Sequence, residues 1–351
     1  MLLIDGRQGE GGGQVLRTSL SLSALTGRPF RLVNIRANRS KPGLRPQHLT
    51  AVRAVATICG AELAGDELNS SSLEFRPGHP PAGGSYYYDV GEASQSGQSA
   101  GAVALVMQAL LWPLLFADRP ATITLRGGTQ VPFSPPYHYF AEVARPAWAR
   151  FGADFRCELQ SWGWQTAGNG VMITHVNPIP RLEAVEFVPV ASREVQGVAA
   201  VSNLPAHIPQ RMSQRAANLL AQMGFRPNIQ PVRAHGAGPG AGIVLWLAQA
   251  GFSALGRPGL PAEKVAETAV NELGAFVDDH EAAVDEHLAD QLLIPMALAH
   301  GRSQFTTSKV TLHTQTNADL LRQWLEATFT IDGRHLMVDG VGFERPVISN
   351  Q

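Results

Sequence analysis

One pattern of apolar and polar positions recurs along the chain. A helical segment near residues 50–58 ends in Cys59-Gly60-Ala61 and leads to a strand-like run, SSLEFRP. A second, YFAEVARPAWAR, ends in Phe151-Gly152-Ala153 and leads to GVMITHV. A third, QRMSQRAANLLAQ, ends in Met223-Gly224-Phe225 and leads to GIVLWLA. Each carries a Gly where a helix ends in left-handed backbone, then polar turn residues, then a β-branched or apolar run. The repeat is too long for a solenoid and predicts several α/β modules, each a sheet covered by helices. Helix starts agree: Pro209 and Pro261 precede MSQRAANLLAQM and AEKVAETAVNELGAFV. In the latter, Val265, Ala269, Leu273 and Val277 fall at helical spacing as an apolar stripe.

From about Pro178 to Pro261 the texture changes, opening with NPIPRLEAVEF and including the Gly-rich HGAGPGAG. Residues 178–261 therefore read as an inserted smaller α/β domain, and residues 1–177 plus 262–351 as the main domain. HGAGPGAG itself reads as a hairpin or loop, because no helix N-terminus follows it to make a ligand cradle.

Two constellations stand near the C-terminus. DEHLADQLLIPMALA predicts a helix from about Asp285, with His287, Asp290 and Gln291 on one face and Leu288, Leu292 and Met296 on the next. Such a polar triple either lines a cleft or forms an ordinary exposed first turn, and the residues alone favour the exposed turn. In SKVTLHTQTNADLLRQWL, Val310, Leu312 and Thr314 alternate with Thr311, His313 and Gln315, which predicts a strand. Asn317 then caps the following helix. His313 would stand near the C-terminal end of a strand, the edge where α/β folds bind ligands.

Composition narrows the class. Of 351 residues, 44% are hydrophobic and 16% charged, enough for a sizeable core. No apolar run is long enough to span a bilayer, and Arg7 and Glu10 break up the N-terminus too early for a secretory leader. Cys59 and Cys157 make neither a disulfide framework nor a zinc quartet, which suits a reducing cytoplasm. Net charge is only −1, yet no acid lies between Glu10 and Glu62. That stretch holds Arg17, Arg28, Arg31, Arg36, Arg39, Lys41, Arg45 and Arg53. It suits a phosphate group or polyanion; the alternative is chance segregation of charge on a solvated face.

The loop QGEGGGQVLRTSL opens this stretch. Its glycines let backbone N–H groups approach an anion, but it matches neither standard phosphate pattern. A dinucleotide fingerprint needs Gly at Gln14, and a nucleotide-hydrolase loop needs Lys and Ser/Thr at its end. It also carries Glu10, and a bare carboxylate repels phosphate.

These pieces occur together in one family. Through DGRQGEGGGQVLR, IRANRSKPGLRPQHLTAV, the GGT of RGGTQVPFSPP, HLADQLLIPMALA and TLHTQTN, in this order, the chain resembles the RNA 3′-terminal phosphate cyclases over nearly its whole length. The resemblance implies an α/β (α+β) main domain of repeated βαβαββ-like modules, a smaller inserted α/β module, and an architecture similar to the enolpyruvyl transferases. It implies conversion of an RNA 3′-phosphate to a 2′,3′-cyclic phosphate, with ATP and Mg²⁺ or Mn²⁺. His313 matches the nucleophile that takes AMP from ATP and passes it to the RNA end. Glu10 matches the metal ligand, which would make its carboxylate an asset. Arg17, Arg36, Arg39 and His48 match residues assigned to the RNA terminal phosphate. Gln108, Pro135, His287, Asp290 and Gln291 match positions around the adenylate.

Departures are local. In SWGWQTAGNGVM, Thr166 replaces a usual Pro and Asn169 a Gly, and Asn tolerates left-handed backbone. His287 stands where relatives often have Tyr. Three rivals are weighed against the cyclase reading. A non-catalytic RNA-processing factor of the same fold would lack the nucleophilic His. A carboxyvinyl transferase would rest on fold alone. A simple nucleotide-binding module leaves the acid-free Arg stretch without a role.

Overall fold

The computed structural model describes residues 1–94, 97, 99–165 and 167–345; Thr166 lies outside them. The first module runs β1 (Leu2–Asp5), α1 (Gly13–Thr26), β2 (Phe30–Val33), α2 (Pro46–Cys59), β3 (Glu62–Ala64) and β4 (Leu73–Arg76). Its sheet order is β1-β2-β4-β3, with β1 and β2 parallel and the other pairs antiparallel. The second runs β5 (Gly84–Asp89), α3 (Val103–Leu115), β6 (Ala121–Gly127), α4 (Tyr137–Tyr139), a π-helical turn (Phe140–Ala144), α5 (Arg145–Ala149), β7 (Phe155–Ser161) and β8 (Gly170–Val176). Its order, β5-β6-β8-β7, repeats the first, again with one parallel pair. Gly60 and Gly152, φ 56° and 97°, end the helical segments in left-handed backbone, as their sequence positions predict.

The smaller unit comprises β9 (Glu194–Ser202), α6 (His207–Gln222), β10 (Arg226–Ala234), β11 (Gly240–Leu247), β12 (Ala250–Leu255) and α7 (Ala262–Val277). Its order is β10-β9-β11-β12. Gly224 also turns left-handed, at φ 83°, but the module it belongs to has a different topology from the first two. HGAGPGAG joins β10 to β11, which flank β9 and do not pair, so it is a crossover loop and not a hairpin.

The third main-body module was hidden in the sequence. It contains α8 (Glu286–Leu298), β13 (His300–Thr306), α9 (Leu312–Trp324), β14 (Thr328–Asp332) and β15 (His335–Val341). The order β13-β15-β14 is that of the other two modules without a first strand. In its place, Glu183 and Glu186 make parallel bridges to His300 and Gln304. The smaller unit thus interrupts a third βαβαββ repeat between its reduced first strand and its first helix.

Packing separates the units. Val195, Met212, Leu220, Leu245, Val265, Ala269 and Leu273 share one core. Ile179, Leu182, Val185 and Phe187 pack in the other, with the three main modules. Helix α7 therefore covers the smaller sheet with its apolar stripe, and we propose bounds of 194–277 for that unit in place of 178–261. In the main body the helices meet at the centre: α1 packs on α2, α3 and α9. Small side chains permit it. Ser19, Ser21 and Ser23 are all buried, and Ser21 Oγ donates to Ala109 O of α3 at 2.8 Å. No helix among the described residues is long and apolar enough to cross a membrane.

Asp285 joins the units. This buried N-cap of α8 accepts from the N–H groups of His287 and Leu288, at 2.8 and 2.9 Å. It also accepts from Tyr139 Oη at 2.9 Å and from Gly251 N of the smaller unit at 3.0 Å. Asp285→Ala strands buried donors on three segments. We expect a loss of about 3 kcal/mol in urea unfolding, and a loss under about 1 kcal/mol would refute the joint's importance.

Candidate active site

One cavity of about 1170 Å³ lies between the main body and the smaller unit. Helix first turns converge on it. Helix α1 brings Gly13, Gln14 and Arg17, α2 brings Gln47 and His48, α8 brings His287, Asp290 and Gln291, and α9 brings His313. The start of α1 has no side-chain cap and no acid in its first turn, so its N–H groups and positive dipole end remain available to an anion.

The glycines of the loop are required by crowding. Gly9 has φ 58°, and a Cβ there would fall 1.8 Å from Thr316 Oγ1 of α9. At Gly13 a Cβ would lie 2.4 Å from His48 Nε2. The loop is thus pressed between α2 and α9, which brings Glu10 to His313.

His313 does not sit on a strand. It lies in the first turn of α9, whose N-cap is Thr311, accepting from Thr314 N at 3.2 Å. The alternation of β-branched residues imitated a strand, but the Thr311 hydroxyl satisfies a helix N-terminus instead. Asn317, expected as that cap, is a buried cross-brace. Its Oδ1 accepts from Thr18 Oγ1 of α1 at 2.9 Å, and its Nδ2 donates to Asp290 O of α8 at 3.1 Å.

Around His313 the charges are paired. Glu10 Oε1 takes the Arg39 guanidinium, and Oε2 stands against His313 Nε2. Oε2 is buried without a hydrogen bond. Burial lowers the His313 pKa, helped by Arg17, Arg39 and His287 and opposed by Glu10. Burial likewise holds His48 well below the usual imidazole value, with Arg36, Arg17 and Arg45 adding to it. Arg45 N donates to His48 Nδ1 at 3.2 Å, so the neutral ring carries its proton on Nε2. His48 therefore offers a neutral N–H beside Gly13 and Arg17.

The acid-free stretch divides in space. Arg17, Arg36 and Arg39 line the cavity. Arg28, Arg31 and Arg53 engage Trp324 O, Glu74 and Asp66 elsewhere. Burial pulls Arg17 down to about 10, against the attraction of Asp290, and leaves it cationic at neutral pH. Arg36 is lowered by burial and by its neighbours Arg39 and Arg45, and it donates to the carbonyls of Lys41 and Gly43.

On the opposite wall, Gln108 Nε2 donates to Gln291 Oε1 at 2.9 Å, and Pro135 lies on the rim. His287, Asp290 and Gln291 line the cavity, with His287 exposed and Asp290 and Gln291 half-buried. The smaller unit contributes Glu272 and Phe276 of α7 to the lining of the same cavity. Burial raises Glu272, against the pull of His287. Thus Glu10, Arg17, Arg36, Arg39, His48, Gln108, Pro135, His287, Asp290, Gln291 and His313 all line one cavity. Sequence reasoning missed Gln14, Glu272 and Phe133. Gln14 was visible only as a departure from a fingerprint. Phe133 is fully exposed on the rim with φ 60°, and nothing in its spacing signalled this. Asn169, φ 58°, does adopt the left-handed backbone expected of it.

Asp290 gives a pH test. Burial raises it to about 7, against His287 and Arg17. From about pH 4, where an unfolded Asp ionises, to about 7 the folded chain keeps a proton that the unfolded chain releases. This contribution to stability is present at low pH and is lost as pH rises through that window. Asp290→Asn should flatten that part of the stability–pH profile in urea titrations, and an unchanged slope would refute the shift.

Comparison with known proteins bears on this site. The family described as RNA 3′-terminal phosphate cyclase matches residues 8–331. A protein of that name from Gloeothece citriformis is 49% identical over 329 residues, covering 92% of this chain and 93% of the relative. One from Methylococcus capsulatus is 48% identical over 91% of this chain and 89% of its own. One from Archaeoglobus fulgidus is 39% identical over 96% of this chain and 100% of its own. With the match spanning the loop, the acid-free arginine stretch and the first turn of α9, the chain belongs to the RNA 3′-terminal phosphate cyclase family.

Proposed function

We propose that this protein uses ATP to convert an RNA 3′-terminal phosphate into a 2′,3′-cyclic phosphodiester. The observation that carries the proposal is the placement of His313 against Glu10 in the cavity that Arg17, Arg36 and Arg39 share. A neutral imidazole beside guanidinium groups is a nucleophile placed where phosphate charge is neutralised.

His313 Nε2 attacks the α-phosphorus of ATP, the P–O bond to the β-phosphate breaks, and pyrophosphate leaves with the electron pair. An oxygen of the RNA 3′-phosphate then attacks the same phosphorus and displaces the imidazole, which gives RNA capped through a phosphoanhydride to AMP. The neighbouring 2′-OH attacks the RNA phosphorus, its proton is lost, and AMP departs. A phosphate monoester lacks a good leaving group, and AMP supplies one. The last step joins tethered atoms, so positioning is the main requirement.

The residues divide the work. Arg17, Arg36 and Arg39 hold the terminal phosphate, and His48 donates its Nε2–H to it. Gln108, Pro135, His287, Asp290 and Gln291 hold the adenylate. His287 presents a ring that stacks on a base. Glu10 would hold Mg²⁺ or Mn²⁺; bound there, the ion neutralises phosphate charge. Its Oε2 is buried, makes no hydrogen bond and faces His313, so the carboxylate stands where such an ion would meet the reacting phosphates. Among the described residues no three His, Cys, Asp or Glu side chains form a metal cage, and one carboxylate with nucleotide phosphates suits such an ion. The free thiols Cys59 and Cys157 fit a reducing cytoplasm.

RNA carrying a labelled 3′-phosphate, incubated with the protein, ATP and Mg²⁺, should become resistant to phosphatase. His313→Ala should abolish this, and Arg17→Ala should slow it by on the order of 100-fold. Label that stays phosphatase-sensitive with the wild type would overturn the proposal.

A further inference from the structure

We propose that Phe133 is a specificity-determining residue whose ring stacks on the terminal base of the RNA that brings its 3′-phosphate into the cavity. This rests on the reading of the cavity as the site of cyclisation. Phe133 is the most exposed large apolar side chain among the described residues, at 103%. Its backbone stands at φ 60°, a left-handed state that a bulky side chain enters only against steric resistance. Full exposure leaves the ring without packing, so it offsets none of that strain within the fold. A strained residue that gives the fold nothing in return, on the rim of a cavity, points to a ligand.

The turn is built to hold the ring out. Pro132 precedes Phe133, and Pro135 and Pro136 follow, which restricts the backbone on both sides. Ser134 Oγ donates to Val131 O at 3.0 Å, and Tyr137 N donates to Thr129 O at 2.9 Å, so the base of the turn is tied. Val131 is buried with Ala102 and Leu105 at the start of α3. Ala102 N donates in turn to Gln47 Oε1 of α2 at 2.8 Å, and Gln47 is the neighbour of His48. On its other side the segment runs to Tyr139, whose hydroxyl bonds the α8 cap, Asp285. The turn therefore spans from the helix that offers His48 to the helix that offers His287, and residues 132–136 all line the cavity. A ring held this way loses little freedom when a partner stacks on it.

The chemistry of the reaction names the partner. When AMP is joined to the RNA end, two nucleosides hang on one pyrophosphate. The adenosine belongs to the inner wall, with Gln108, His287 and Gln291. The RNA must leave through the mouth to reach solvent, so its terminal base is the first to meet the rim. An uncharged ring reads the π-face that every base has and a bare sugar phosphate lacks. Phe133 thus reports that a base is present, and favours the larger purine face over a pyrimidine.

Equilibrium binding of a short single-stranded RNA with a 3′-phosphate and a 5′-fluorescein, followed by anisotropy without ATP, tests this. The RNA is compared with its terminal base present and with that base removed. The wild type should bind the base-bearing end more tightly by on the order of 10-fold. Phe133→Ala should bind both forms alike, at the wild-type level for the abasic end, and Phe133→Trp should restore the preference. Phe133→Gly should unfold in urea at a midpoint no lower than that of the wild type, because Gly adopts positive φ without strain. Adenylylation of Phe133→Ala by labelled ATP, without RNA, should keep the wild-type dependence on ATP concentration. A base preference that survives in Phe133→Ala would overturn the proposal. So would a lowered midpoint in Phe133→Gly, which would give the ring to the fold, or a raised ATP requirement in Phe133→Ala, which would give it to adenine. A base preference lost in Phe133→Ala, in a protein that cyclises no RNA, would instead count against the proposed function and leave the role of the ring in place.

Discussion

Asn317 is the constraint on which the site depends. It is 2% exposed in the middle of α9, and its two amide ends bond to α1 and α8. A buried amide has no water to fall back on, so both bonds must be made together. Satisfying them sets the three helices in one register and aims their first turns at a common point. Gln14, Asp290 and His313 then meet as a consequence of packing. The cap side chains Asp285 and Thr311 fix where α8 and α9 begin, and hence which residues those first turns offer.

The electrostatics follow from the same convergence. Helix N-termini and three arginines make the cavity attractive to phosphate, while burial lowers the pKa of His48 and of His313. Glu10 is the counterweight. It sits among these cations with one oxygen on Arg39 and the other facing His313, where a carboxylate alone in a phosphate loop would be unfavourable.

Local signals were legible where one residue decides one backbone state. Gly60, Gly152 and Gly224 announced helix ends because left-handed backbone favours Gly. The arginine stretch and Glu10 pointed to phosphate because charge is readable without coordinates. Long-range facts were not legible. The third module lost its first strand to two bridges and was split by the smaller unit, so no local period marked it. His287, Asp290 and Gln291 read as an exposed first turn because the residues that share their cavity, Glu272 and Phe276 among them, come from distant parts of the chain. The start of α9 read as a strand because β-branched residues alternate there, and only the Thr311 cap distinguishes the two.

The central claim is that His313 carries AMP. Incubating the protein with ATP labelled at the α-phosphate and Mg²⁺, without RNA, then denaturing it, measures this directly. The account predicts an acid-labile label on the wild-type polypeptide, discharged by RNA with a 3′-phosphate, and none on His313→Ala. No label with either Mg²⁺ or Mn²⁺, or label that persists on His313→Ala, would contradict it.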